Sequence, residues 1–291
     1  MALPFLKYPG GKRNIIESLR KYFPKKFNNY YEPFVGGGAV FFDINNKKSI
    51  LNDINKNIAS SYRNIKKHPK EIIHGLKKLS DSYKALNSKE REEFYYKRRI
   101  DFNSVIKDKN FGIENTILLL FLNRTCFNGV YRENSKGEFN VPHGKNSHLV
   151  GKDTIVRSDT LIASSKALKN SRIYSMDFDK ILKKGEKGDF FYIDPPYMPL
   201  SKTAHFTMYD KTGFNKKDQL RLRIAIEELN EKGCFVLFNN SDQPYIRELY
   251  SDNKIFNGKD FKINTAKANR SINSKASGRG KINELIITNY L

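Results

Sequence analysis

Hydrophobic positions along the chain alternate between short apolar runs and amphipathic stretches, which is the pattern of an α/β fold. Apolar, β-prone runs at residues 30–34 and 49–53 flank an apolar helical stretch at 39–44, and a second helix is predicted at 55–66. From residue 172 onward the alternation resumes. The remaining predictions are strands at residues 172–176, 189–194, 234–239 and 285–288 and an amphipathic helix at 216–232.

The stretch from residue 67 to about 110 interrupts this alternation. Its apolar residues recur at helical spacing among many lysines, at Ile72, Ile73, Leu76 and Leu79. The pattern therefore predicts an α/β sheet that carries a mainly helical insertion. Residues 265–281, rich in Ser, Asn, Gly, Lys and Arg, predict a basic loop.

The charge balance indicates a polyanionic partner. The 291 residues include 53 Lys and Arg against 31 Asp and Glu, a net charge of +22. A lysine-rich composition bias is the alternative explanation, although the lysines are scattered and not confined to one tail. Aromatic residues make up 13 % of the chain, which is typical of a sequence that folds.

Several function classes are disfavoured. The two cysteines, Cys126 and Cys234, lie far apart and form no C-x-x-C pair, so neither a disulfide framework nor a metal site is expected. The longest apolar run, residues 117–122, is far shorter than the ~20 residues of a membrane span. We expect a cytoplasmic protein with no membrane association and no bound metal.

A triple glycine, Gly36-Gly37-Gly38, separates the first predicted strand from the first predicted helix, and Asp53 ends the second strand. Glycines allow close approach of a ligand to the backbone, and an acidic residue in this place accepts hydrogen bonds from ribose hydroxyls. The pattern predicts an adenosine-containing cofactor. Neither G-x-G-x-x-G nor a P-loop occurs, which disfavours dinucleotides and nucleoside triphosphates. A plain turn is the alternative.

The run Asp194-Pro195-Pro196-Tyr197 follows the most apolar predicted strand. Two successive prolines fix the backbone and remove amide donors, so carbonyl acceptors remain beside a carboxylate and an aromatic ring. Such a corner suits a planar base whose exocyclic amino group donates to Asp194 and to the Pro195 carbonyl while its ring stacks on Tyr197. A rigid turn without function is the alternative.

These two patterns belong to a larger set of motifs in fixed order. The set comprises FLKYPGGK at residues 5–12, EPFVGGG at 32–38, NDIN at 52–55, NR at 123–124, FNG at 127–129, GEFNVP at 137–142 and DPPY at 194–197. The chain thereby resembles the Dam-type DNA adenine methyltransferases (D12 class, α-group amino-methyltransferases). The resemblance implies a Rossmann-like, S-adenosylmethionine-dependent methyltransferase domain formed by residues 1–66 and 159–291, with a DNA-recognition insertion at 67–158.

The resemblance also implies site residues. Those expected to bind S-adenosylmethionine are Tyr8, Gly10, Lys12, Phe34, Gly36, Gly38, Asp53, Asp177, Phe178 and Asp194. Those expected to act on the target adenine are Asp194, Pro195, Pro196 and Tyr197. Tyr8 stands where the family often has Trp, which keeps an aromatic face but loses the indole donor.

A third group is expected to contact DNA. It comprises Lys7, Arg124, Phe127, Asn128, Val130, Arg132, Asn140 and Pro142. Phe127 and Asn128 resemble residues that enter the duplex beside the flipped base, and Val130 and Arg132 resemble base-reading residues. Val130 and Tyr131 depart from the commonest family pattern. Phosphate contacts or solvated positions both suit a further basic set, Arg98, Arg99, Arg124, Lys136 and Lys145.

The implied activity is transfer of a methyl group from S-adenosylmethionine to the 6-amino group of adenine in duplex DNA, in GATC sites, by base flipping and in-line displacement. S-adenosylhomocysteine is the product. Methylation of a cytosine 4-amino group is a second enzymatic interpretation, which Asp at position 194 disfavours. A DNA-binding regulator without turnover is a third, which intact Asp194 and Tyr197 disfavour. We expect a monomer in a bacterium or phage, and a cognate restriction endonuclease encoded nearby is left open.

Overall fold

The computed structural model describes residues 2–46, 48–144, 154–197, 214–251, 261–269 and 281–290. The chain divides into two compact units. The first unit comprises Met1–Gly11, Gly36–Asn45 and Asn55–Ser175, and the second comprises Lys12–Val35, Asn46–Ile54 and Met176–Leu291. In the part of the chain that the structure describes, no helix is long and apolar enough to cross a membrane.

The second unit is built on a mostly parallel sheet, as the alternating pattern predicts. Its strands are β1 (Tyr30–Glu32), β2 (Ser49–Asn52), β4 (Phe190–Ile193), β5 (Phe235–Ser241), β6 (Lys262–Asn269) and β7 (Lys281–Thr288), and β3 (Arg172–Tyr174) belongs to the first unit. The six strands follow the order β2-β1-β4-β5-β7-β6, in which β7 runs antiparallel to both neighbours. Because the chain leaves β1 towards β2 on one side and β4 lies on the other, a topological switch point falls between β1 and β4.

The described helices of the second unit are α1 (Ile16–Arg20), α8 (Phe178–Leu182), α9 (Lys216–Glu231) and α10 (Pro244–Ser251), and Lys12–Asn14 form a 3₁₀ turn. A capping box begins α9, since the Asn215 side chain accepts from the Asp218 backbone and the Asp218 side chain accepts from Asn215. The apolar face of α9 is buried against β5 and α8, as its amphipathic pattern predicts.

The first unit is mainly helical. Its helices are α2 (Ala39–Ile44), α3 (Lys56–Lys67), α4 (Pro69–Lys84), α5 (Ser88–Lys107), α6 (Ile113–Thr125) and α7 (Ser158–Leu168). Helix α6 packs against α3, α4 and α5, and its residues 118–122 are all buried. This central position explains why the longest apolar run of the sequence is a helix with apolar residues on every side.

The structure confirms the predicted strands and helices. Most of their ends shift by a residue or two, but β7 begins four residues before the strand predicted at 285–288, and the basic loop predicted at residues 265–281 is corrected. Strand β6 extends to Asn269 and β7 begins at Lys281, while residues 270–280 lie outside the described part. The reason is that β6 lies at the edge of the sheet, where polar and charged residues are common in strands and imitate a loop. The predicted functional boundary at residues 67–158 stays a prediction.

The backbone of Gly38 lies close to the side chain of Tyr62 in the first unit, and this contact should limit which residues position 38 accepts. Gly38 adopts a left-handed backbone conformation with φ of 68°, and a Cβ there would collide with the buried Tyr62 hydroxyl. We expect Gly38→Ala to lose about 1–2 kcal/mol for the backbone and about 1–3 kcal/mol more for the collision. Gly137→Ala is the matched control, because Gly137 has φ of 77° with no atom within 4 Å of the added Cβ. Equal losses in urea unfolding would contradict the steric argument.

Candidate active site

Three predicted site residues follow parallel strands of the second unit. Phe34 comes shortly after β1, Asp53 follows β2, and Asp194 follows β4. Pairing is parallel between β1 and β2, with Glu32 opposite Leu51, and between β1 and β4, with Tyr31 opposite Phe191. The carboxyl ends of these strands therefore meet at one edge, beside the switch point, which is where open α/β sheets bind ligands.

Asn52 fixes the chain at this edge. Its buried side-chain Nδ2 donates to the carbonyls of Pro33 and Met176, at 2.9 and 3.0 Å. Its Oδ1 accepts from Met176 N at 3.0 Å, and its own carbonyl accepts from Val35 N at 2.9 Å. One amide side chain thus sets the start of the turn after β1 and the approach to Asp177.

Asp194 is a shielded carboxylate with one oxygen paired and one oxygen unpaired. Its Oδ2 lies 2.8 Å from Lys12 Nζ, and the side chain is 18 % exposed. Its Oδ1 is buried and has no hydrogen-bond partner among the described residues. Burial raises the pKa of Asp194 to about 6, with Lys12 acting in the opposite direction and Glu284 adding to the rise. The carboxylate is therefore ionised at neutral pH, and its Oδ1 is available to accept a hydrogen bond from a ligand.

Lys12 and Tyr197 meet a second carboxylate beside Asp194. The Tyr197 hydroxyl donates to Glu284 Oε2 at 3.1 Å, and Lys12 Nζ lies 3.7 Å from the same oxygen. Lys12 Nζ also lies 4.7 Å from the centroid of the Tyr197 ring. Burial, then the negative charges of Asp194 and Glu284, raise the pKa of Tyr197 well above its ordinary value, so its phenol stays protonated. Of the two prolines, Pro195 is buried and Pro196 is exposed.

Aromatic rings gather next to Asp177 in the same unit. Phe34, Phe178 and Phe214 have centroids 5.4 to 5.7 Å apart. Asp177 caps α8 by accepting from Asp179 N at 3.0 Å, and its Oδ1 lies 2.8 Å from an Arg221 nitrogen. Both contacts use the same oxygen of Asp177, Oδ1, and the rings beside it offer apolar faces for a planar ligand.

The first unit contains the other residues predicted to bind the cofactor. The rings of Tyr8 and Tyr131 are stacked, with centroids 5.8 Å apart and planes 19° from parallel. A Cβ at Gly36 would lie 2.9 Å from the Tyr8 ring, so only glycine permits this approach. The two aromatic positions that depart from the family pattern therefore pack against each other. Gly10 lies in an exposed turn, and the cofactor roles of Tyr8, Gly10, Gly36 and Gly38 stay predictions.

Most residues predicted to contact DNA come together in one segment of the first unit. Three hydrogen bonds connect them: Lys7 Nζ to Asn128 O at 2.6 Å, Phe127 N to Pro142 O at 2.9 Å, and Arg132 Nε to Asn140 Oδ1 at 2.7 Å. Phe127 is 56 % exposed on the 3₁₀ turn Phe127–Gly129. Val130 is half-buried in the same segment.

Arg124 is placed differently. Its guanidinium donates to the carbonyls of Phe5 at 3.1 Å, of Val156 at 2.9 Å and of Ile155. These bonds join α6 to two other segments of the first unit, which favours a structural role over the predicted DNA contact.

The remaining basic residues fall into three situations. Arg98 pairs with Asp101, Arg99 donates to Val141 O, and Lys136 is exposed. Lys145 lies outside the described residues. Contact of any of them with phosphate stays a prediction.

The family model for D12 class N6 adenine-specific DNA methyltransferases matches residues 8–272. The chain belongs to this family. The protein is therefore an adenine-specific DNA methyltransferase. Membership of this family favours an enzyme over a DNA-binding regulator without turnover, and adenine over cytosine as the methylated base. Membership implies S-adenosylmethionine as methyl donor and DNA as substrate. In the described part of this methyltransferase, no three His, Cys, Asp or Glu side chains are grouped as metal ligands.

Curated relatives match nearly the whole methyltransferase. The Type II methyltransferase M1.LlaDCHI of Lactococcus lactis subsp. cremoris is 39 % identical over 289 residues, covering 99 % of this chain and 95 % of the relative. The Type II methyltransferase M.MjaIII of Methanocaldococcus jannaschii is 39 % identical over 297 residues, covering 99 % of each. The DNA adenine methylase of Haemophilus influenzae is 34 % identical over 284 residues, covering 97 % of this chain and 92 % of the relative.

Two residues of this site, Asn52 and Glu284, have no role that the sequence predicts. Asn52 stands inside a quoted motif, and Glu284 stands before three apolar residues of β7, where it is only 7 % exposed. A lone acidic residue at the start of an apolar strand was the available signal for Glu284. Its contact with Lys12 joins the two ends of the sequence, and no local spacing predicts such a contact.

The pH dependence of methyl transfer tests the state of Asp194. With a pKa of about 6, the Asp194 carboxyl is protonated below this pH and ionised above it. We expect the single-turnover rate to fall about tenfold per unit as the pH drops below about 6, because the protonated group has lost acceptor strength. DNA affinity measured over the same range is the control. A rate that stays level down to pH 5 contradicts the prediction.

Proposed function

We propose that this methyltransferase transfers the methyl group of S-adenosylmethionine to the 6-amino group of an adenine that is flipped out of duplex DNA, in GATC sites, by in-line displacement. The observation that carries the proposal is the Oδ1 of Asp194, which has no hydrogen-bond partner among the residues that the structure describes and is held at the carboxyl edge of the sheet beside Tyr197. A buried carboxylate oxygen without a partner calls for a donor, and an exocyclic amino group is one.

The residues of the second unit suit the cofactor. Asp53 is 8 % exposed and follows β2, in the place of a ribose acceptor. The rings of Phe34 and Phe178 offer apolar faces to adenine, and Lys12 adds a buried cation. When bound, S-adenosylmethionine supplies an electrophilic methyl carbon on its sulfonium. The chain then has to orient and desolvate the amino nucleophile, and no nucleophilic side chain is required.

Asp194 and the Pro195 carbonyl act on the amino group as acceptors. An adenine amino lone pair is delocalised into the ring, so the nitrogen is a weak nucleophile. Hydrogen bonds to acceptors increase electron density on this nitrogen and strengthen as positive charge develops in the transition state. Lys12 keeps Asp194 ionised against the effect of burial. The Tyr197 ring supplies a stacking face.

Base flipping is supported by the exposed segment of the first unit. Unstacking an adenine costs a few kcal/mol, which an inserted aromatic side chain can offset. Phe127 is exposed on a short turn, and Asn128 beside it has a left-handed backbone with φ of 58°. Lys7 holds this turn through the Asn128 carbonyl. We therefore assign Phe127 to the space that the flipped adenine leaves between its neighbouring base pairs.

The relatives bear on the biological setting of the enzyme. Two relatives are Type II methyltransferases, which supports a cognate restriction endonuclease encoded nearby. Another relative is a DNA adenine methylase, which leaves a solitary role open. We propose that the protein acts as a monomer, because one subunit can methylate the two strands of a short palindrome in separate visits.

Labelled S-adenosylmethionine and a panel of duplexes test the proposed function. The duplexes differ from a GATC reference at one base pair each. We expect label on adenine of the reference and a loss of about 5- to 150-fold for each single change, since each mismatched pair costs about 1–3 kcal/mol. Asp194→Ala is the control, which should bind the reference duplex normally and transfer no label. Equal labelling of all duplexes contradicts the GATC assignment, and turnover by Asp194→Ala contradicts the role of Asp194.

Arg132→Ala tests the reading of one base pair. Arg132 Nε donates to Asn140 Oδ1 at 2.7 Å, and this hydrogen bond fixes the orientation of the guanidinium group. We expect relaxed discrimination at a single position of the site, by about 1–3 kcal/mol, if the guanidinium pairs with a guanine edge. Lys136→Ala, which removes an exposed charge nearby, should leave the discrimination unchanged. Uniform weakening across all duplexes would instead make Arg132 a phosphate contact.

A further inference from the structure

We propose that Glu284 is a positioning residue for methyl transfer, which anchors Lys12 and Tyr197 so that both face Asp194. The inference rests on the proposed role of Asp194 as acceptor of the adenine amino group, and it adds a residue from the last strand of the chain to the site. Glu284 itself does not touch the reacting atoms in this proposal. It acts through the two side chains that it holds.

The contacts of Glu284 are directed at the site. Its Oε2 accepts from the Tyr197 hydroxyl at 3.1 Å and lies 3.7 Å from Lys12 Nζ. Lys12 Nζ lies 2.8 Å from Asp194 Oδ2. Lys12 therefore stands between two carboxylates, and Tyr197 is fixed at its hydroxyl end while its ring lies under the same ammonium group.

The backbone of Glu284 is rigid. It pairs with Ser241 of β5 on one side and with Ala266 of β6 on the other. The next three residues, Leu285 to Ile287, are at most 1 % exposed. A carboxylate held from two neighbouring strands gives a fixed reference point, and a fixed supporting shell keeps a catalytic group within the small tolerance that chemistry needs.

Charge gives this role a signature that ordinary structural support lacks. The groups that interact electrostatically with Asp194 are Lys12, Glu284, Tyr197 and Tyr192, and Glu32 acts on Tyr192. Among them, the negative charge of Glu284 raises the pKa of Asp194, while Lys12 lowers it. Removing the charge of Glu284 should therefore lower the pKa of Asp194 and make the enzyme more tolerant of acid, even as its plateau rate falls.

Glu284→Gln is the main test, because it keeps the shape and removes the charge. We expect the single-turnover rate at pH 8 to fall about 10- to 100-fold, the loss typical of a hydrogen bond to a charged group. We expect the acid limb of the rate profile to move to lower pH and the affinity for the duplex to stay unchanged. Glu284→Asp, which retains the charge on a shorter arm, should recover part of the rate and return the acid limb towards the wild-type position.

Asp189→Asn is the matched control. Asp189 is also a fully buried carboxylate of the second unit, but it precedes β4 and accepts hydrogen bonds from Asn29 and from Glu186 N. We expect it to lower the thermal midpoint while the rate profile keeps its acid limb in place. The full-length protein is used throughout, and the thermal midpoint of every variant is recorded.

The outcomes separate this inference from the proposed function. A Glu284→Gln enzyme whose rate stays within twofold of wild type, or whose acid limb does not move, overturns the positioning role. An equal rate loss and limb shift in Asp189→Asn overturns it as well. Turnover by Asp194→Asn at the wild-type rate would overturn the acceptor role itself, whatever the Glu284 variants do.

Discussion

The site depends on one electrostatic constraint: a carboxylate at the end of a buried strand has to remain ionised. Desolvation disfavours the charged form, and the pKa of Asp194 is raised to about 6 even with a lysine beside it. Lys12, itself only 4 % exposed, limits that rise at a distance of 2.8 Å. A buried cation in turn needs its own partners, so the Glu284 carboxylate and the Tyr197 ring belong to the same electrostatic unit.

The parallel sheet delivers these groups to one place without any local sequence relation between them. Parallel strands end on the same side, so residues far apart in the chain meet at one edge. Side chains then fix the turns, as Asn52 does with its bonds to Pro33 and Met176. Strand β7 runs in the opposite direction and contributes Glu284 from its middle, opposite Ser241 at the end of β5. Precision at this edge comes from buried hydrogen bonds and paired strands.

Local pattern and motif order predicted the sheet, the helical interruption and the Asp194 corner. They failed where the deciding contact joins distant segments. Strand β6 carries the polar residues of an edge strand and was read as a loop. The guanidinium of Arg124 donates to three carbonyls from elsewhere in the first unit, contacts that no local pattern indicates, while its role in DNA contact stays a prediction. Tyr8 and Tyr131 each depart from the family pattern, and their rings stack on each other. Neither position alone indicates this contact.

Asp194 Oδ1, which has no partner within the described part of the chain, also connects the stability of the fold with the reactivity of the site. A buried acceptor without a donor costs about 1–3 kcal/mol, and that cost is present before any substrate arrives. A donor that reaches Oδ1 removes this cost. The acceptor is already desolvated in the folded protein, so binding of a substrate does not have to desolvate it again. Lys12 pairs with the other oxygen, Oδ2, and with Glu284. A network of opposite charges can therefore leave one acceptor atom available, and in the proposed mechanism that atom accepts from the adenine amino group.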